Sequence, residues 1–145
     1  MKIAIATDHN GVDQKKEIIN KLTQYEFLDK SPVNTPTDDY PDFAYQVAKS
    51  VTEKEADLGV LLCGTGIGMS IAANKVRGIR CGHCSTVKQA HLTKEHNHAN
   101  IIALSYEQDI NELIPMIKEF IETTPSNEER HLRRVNKITS IENEA

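Results

Sequence analysis

Cys63 stands directly before Gly64-Thr65-Gly66-Ile67-Gly68. Glycines at alternate positions let successive backbone N–H groups turn toward one point. With a helix opening behind them, such donors form a site for an anion or a developing oxyanion. A thiol beside them is equipped to act as a thiolate base or nucleophile. The alternative is a tight strand-to-helix turn next to a buried, inert cysteine. Two better-known loops do not fit. Met69 occupies the last glycine position of a dinucleotide loop, which also belongs on the first strand. Met69 equally occupies the place where a cysteine phosphatase loop needs arginine.

Asp8-His9 closes the first apolar run and offers a carboxylate and an imidazole, or else a helix cap. Arg130 and Arg134, one helical turn apart, can fork onto a phosphate. His96, just ahead of a strand, is an acid–base candidate. Cys81, His83, Cys84, His91, His96 and His98 raise a metal reading. Their spacing matches no standard zinc pattern, and Cys84 faces away from Cys81 and His83 on the strand.

The elements that must position these groups alternate. Strands are expected at 3–7, 26–29, 58–62, 79–84 and 100–104. Helices are expected at 12–22, 40–53 (with Asp39 as cap), 69–75, 87–95, 110–121 and 127–141. This order predicts an α/β, doubly wound, Rossmann-like five-stranded parallel sheet with helices on both faces. Taking the strand order as 2-1-3-4-5, the switch point falls between the first and third strands, where Asp8-His9 and the Cys63 loop both lie. Residues 1–145 are read as one domain. The last helix, opened by a Ser126/Glu129 capping box, carries a Leu132, Val135, Ile138, Ile141 stripe and, on another face, Arg130, Arg134 and Lys137. It either packs on its own domain or crosses to a partner subunit.

Composition narrows the function. The chain has 145 residues, 39% hydrophobic and 26% charged, with a net charge of -4. That describes a globular protein. Its mild acidity argues against nucleic acid or a membrane surface as partner. No apolar run approaches the ~20 residues of a membrane span. The opening residues read as a strand, not a signal peptide, so a cytoplasmic location is expected. Three cysteines there do not make a disulfide framework.

Taken together, these residues resemble the ribose-5-phosphate isomerase B and galactose-6-phosphate isomerase family, nearest to its ribose-5-phosphate branch. The resemblance is carried by Asp8-His9, Asp39-Tyr40-Pro41-Asp42-Phe43-Ala44, Cys63 to Gly68, Ile71-Ala72-Ala73-Asn74-Lys75, His96-Asn97 with Asn100, and Arg130-His131 with Arg133-Arg134-Val135. It implies a homodimer, in some members assembled further to a tetramer, with sites shared across the interface. It also implies aldose–ketose isomerisation of a sugar phosphate, without cofactor or metal. In that scheme His96 and Thr65 assist ring opening and Cys63 moves the proton between C2 and C1. The amides of Gly64, Gly66, Ile67 and Gly68, with Asn97, hold the enediolate. Asp8 and Tyr40 meet sugar hydroxyls, and His9, Arg130 and Arg134 bind the phosphate.

Three departures bear on the phosphate: His98 after His-Asn, Ser105-Tyr106-Glu107 where Gly-x-Arg is usual, and Glu128-Glu129 where Gly-Gly is usual. Three alternatives stand beside this reading. One is an isomerase of a six-carbon aldose 6-phosphate of allose or galactose type. Another is a non-catalytic phosphate- or nucleotide-binding module. The last is a metal-bound structural protein.

Overall fold

The structure, a computed structural model, describes residues 1–144. Its strands are β1 (Lys2–Thr7), β2 (Glu26–Asp29), β3 (Leu58–Cys63), β4 (Cys81–His83) and β5 (Ile101–Ser105). Its helices are α1 (Val12–Lys21), α2 (Tyr40–Thr52), α3 (Ile67–Ala73), α4 (Val87–Asn97), α5 (Ile110–Glu122) and α6 (Glu129–Glu144). All strand pairings are parallel. Every residue of β3 is buried, as a strand covered on both faces requires. One core cluster joins Ile3, Ile5, Val60 and Leu62 to α1 and α5, and includes Cys84. The other joins Ala4, Ala6, Leu61 and Cys63 to α2 and α3. This is the expected doubly wound α/β sheet.

The strand order differs from expectation. It is β2-β1-β3-β5-β4, not 2-1-3-4-5. The reason is burial. Ile101 to Leu104 are wholly buried and take a central place, whereas the three residues of β4 are only partly covered and suit an edge. Strand 79–84 shrinks to that short β4 for the same reason. The switch between β1 and β3 stands, with Thr7 in register with Leu62.

Local differences have local causes. α3 starts at Ile67 rather than Met69, because Gly66 adopts a left-handed conformation (φ 83°) and turns the chain into the helix early. The capping box before α6 does not form. Ser126 Oγ takes the Glu128 amide at 3.1 Å, while Glu129 pairs with Arg133 at 2.6 Å. Asp39 stands at the N-cap of α2 without a side-chain cap bond. Of the α6 stripe, Val135 is buried, but Leu132, Ile138 and Ile141 are 37%, 44% and 69% exposed.

Candidate active site

The polar groups predicted at the switch point do meet there. Asp8 and His9 follow β1, the glycine loop follows β3, and Tyr40 opens α2 with its ring against Gly68. Cys63, 6% exposed, ends β3 with its sulfur turned to the α2/α3 side. The Gly66 amide donates to Cys63 Sγ at 3.1 Å. An N–H aimed at sulfur bonds a thiolate more strongly than a thiol. The Ile67 amide donates to Thr65 Oγ1 at 3.1 Å, so two of the expected loop donors already have protein acceptors.

Neighbours brace the loop. Ser105 Oγ donates to the Gly64 carbonyl at 2.7 Å, and His83 Nε2 donates to the Thr65 carbonyl at 2.8 Å. Asp38 holds His9 twice, accepting from its amide at 3.1 Å and from Nδ1 at 2.7 Å. Burial alone would raise the Asp38 carboxyl, but bonds from Asn34, His9 and Thr35 bring it below its ordinary value. Tyr106 donates to Asp8 Oδ2 at 3.2 Å. Burial and then the Asp8 carboxylate push that phenol up to about 12.

Sequence reasoning gave Asp38 no part in this site, took His83 only as a metal candidate, and met Ser105 and Tyr106 only as a departure bearing on the phosphate. Asp38, within the loop 35–39, had only a turn-forming signal. Tyr106 and Ser105 reach the loop only because β5 lies beside β3.

A second group assembles elsewhere. His96 and Asn97 end α4, and α6 begins beside them. The Ser126 amide donates to the Glu95 carbonyl at 2.9 Å, and His98 Nε2 donates to the Ser126 carbonyl at 2.7 Å. His96 stacks on His131 with ring centroids 4.3 Å apart. Burial, with His96 and Arg130 nearby, holds His131 below the ordinary histidine value. Arg130 pairs with Glu128 at 2.8 Å, and Arg134 lies exposed one turn on.

Within one chain these two groups are apart. α4 returns the chain to the starting edge of β5, where Gly59 donates to the Asn100 carbonyl. Cys63 is at the other edge, in register with Ser105. The length of β5 between them is roughly 13 Å. His96, Asn97, Arg130 and Arg134 therefore do not join Cys63, Thr65, Asp8, His9 and Tyr40 inside a single copy.

The metal-raising set does not converge. Burial pushes the Cys81 thiol up to about 12 and the Cys84 thiol up to about 11, leaving both protonated at neutral pH. Among the described residues no three His, Cys, Asp or Glu side chains group as metal ligands. No described helix is long and apolar enough to cross a membrane.

A thiol under a loop of amides, at the switch point of a doubly wound sheet, marks a class of α/β enzymes that bind small polar metabolites at the strand ends. Comparison narrows the class. The ribose/galactose isomerase family model matches residues 3–138. Ribose-5-phosphate isomerase B of Escherichia coli is 41% identical over 97% of this chain and 96% of its own. The ribose-5-phosphate isomerase B structure from Clostridium thermocellum superposes with a TM-score of 0.93, at 39% identity and 99% coverage of both chains. The Mycoplasma genitalium enzyme, solved with ribulose 5-phosphate bound, gives 0.91 at 38% identity, over 99% of this chain and 97% of that one. The chain belongs to the ribose/galactose isomerase family.

Proposed function

We propose that this protein interconverts ribose 5-phosphate and ribulose 5-phosphate through a cis-enediolate, with Cys63 as the base, in a homodimer. The observation that carries the reading is the Gly66 amide on the Cys63 sulfur, 3.1 Å away at the switch point. The names of the relatives and the bound ribulose 5-phosphate of the M. genitalium structure support the substrate.

The chemistry follows from the groups present. With the sugar opened to its aldehyde, the Cys63 thiolate removes the C2 proton. The C–H electrons form the C1–C2 double bond, and the C1 carbonyl oxygen becomes the oxyanion. Backbone donors of the loop and Asn97 stabilise that charge. The C2 hydroxyl passes its proton to the C1 oxyanion across the cis-enediolate, and the thiol returns its proton to C1, leaving a hydroxyl at C1 and the ketone at C2. Thr65 and His96 assist ring opening, Asp8 and Tyr40 hold sugar hydroxyls, and His9, Arg130 and Arg134 hold the phosphate.

The dimer is supported by the separation of the two groups of residues along the sheet. A partner copy supplies His96, Asn97, Arg130 and Arg134 to the Cys63 of the first. The exposed Leu132, Ile138 and Ile141 give α6 an apolar face for that contact. Mixing tests this. Cys63→Ala and His96→Ala are each expected to be inactive alone. After subunit exchange an equal mixture regains about a quarter of wild-type activity, because half the dimers carry one intact site of two. A mixture that stays inactive despite verified exchange contradicts the shared site.

A further inference from the structure

Tyr106 sits where the three central strands end. Its amide donates to the Cys63 carbonyl at 3.1 Å. Its side chain then reaches from the β5 end, past β3, to the β1 side, where the hydroxyl donates to Asp8 Oδ2 at 3.2 Å. The ring is gripped on the way. A Cβ on Gly11 would fall 2.6 Å from the Tyr106 ring, so the ring fits only because that residue is glycine. The hydroxyl is 3.8 Å from where a Cβ on Gly64 would stand, on the loop that covers Cys63.

Asp8 is therefore held at both oxygens, since Oδ1 accepts the Asn10 amide at 3.0 Å. Each carboxylate oxygen keeps a further lone pair for a sugar hydroxyl. The phenol, pushed up to about 12, keeps its proton throughout the physiological range.

Resting on the isomerase reading above, we propose that Tyr106 is a positioning residue for the sugar: its phenol fixes Asp8 so that the carboxylate meets the substrate's hydroxyls beside Cys63. Without the phenol the carboxylate is held only at Oδ1 by the Asn10 amide, and Oδ2 must be ordered when the sugar binds, which weakens binding. The phosphate end, held by His9 and the arginines, is untouched.

The test compares wild type with Tyr106→Phe, which keeps the ring against Gly11. Two quantities are read on the full chain: KM and kcat for ribose 5-phosphate, and the inhibition constant of inorganic phosphate. The expected result is a rise of about tenfold in KM with kcat within about twofold, the size of one hydrogen bond to a charged group. The phosphate inhibition constant stays unchanged. An unchanged KM overturns the proposal and leaves the isomerase reading intact. Equal rises in KM and the phosphate constant also overturn it, because they mean a general distortion of the site. A wild-type protein that does not turn over ribose 5-phosphate overturns both.

Discussion

The Gly66 amide points at the Cys63 sulfur from 3.1 Å, and only a left-handed Gly66 (φ 83°) puts it there. A Cβ at this position would also fall 2.9 Å from the His83 ring and from the Leu104 carbonyl carbon. Gly66→Ala is therefore expected to lower stability by about 1–3 kcal/mol through backbone strain. It should also cut kcat by about tenfold or more as the donor swings off the sulfur. Thermal melts and steady-state kinetics measure the two effects.

Asp38 locks the His9 ring and sits below its ordinary value of 3.8 because its hydrogen bonds outweigh its burial. A depressed carboxyl stabilises the fold above its unfolded pKa and gives up that stability as pH falls through the folded one. The melting temperature of Asp38→Asn should thus fall less steeply than wild type below about pH 4. The same variant should raise KM by about tenfold, because His9 loses its orientation toward phosphate. Melts across pH and a KM determination check both.

Glu128 holds Arg130 at 2.8 Å, where both side chains are more than half exposed. Exposed pairs are weak, so releasing Arg130 costs little stability and frees it for phosphate. Glu128→Gln should lower KM by about two- to fourfold, while Arg134→Ala should raise KM by about tenfold with a smaller change in kcat. Kinetics at fixed ionic strength decide this. A large loss confined to kcat in Arg134→Ala would place that arginine near the reacting carbons instead.

α6 buries only His131 and Val135, takes the Gly78 amide on Glu142 at 2.8 Å, and belongs to neither core cluster. A chain ending after Pro125 should therefore remain folded but become an inactive monomer. Sedimentation, circular dichroism and the turnover assay together check this; an active monomer would refute the crossing helix.

What was legible in the sequence was mostly local. An all-apolar strand followed by alternating glycines announces itself, so the Cys63 loop and its strand could be placed without a structure. Asp8-His9 was placed at the switch by the same logic. The order of β4 and β5 was not legible, because it turns on how much of a short segment stays covered once helices pack, which is a tertiary matter. That order is also what brings Ser105 and Tyr106 to the loop, so both were hidden with it. The separation of His96 from Cys63 was hidden for a related reason. It depends on α4 running back along β5, and residue spacing carries no record of which sheet edge a helix ends on. The Ser126/Glu129 box failed because Arg133, one turn along, competes for Glu129.

The role of Cys63 is tested most directly by proton exchange. Ribose 5-phosphate incubated in deuterated water with the wild-type protein should gain deuterium at C1 of the ribulose 5-phosphate formed and lose the proton at C2 of the remaining ribose, as followed by NMR. Cys63→Ala, folded by its melting curve, should slow both by about 10²–10⁴-fold. Exchange at the wild-type rate in Cys63→Ala would show that another group moves the proton.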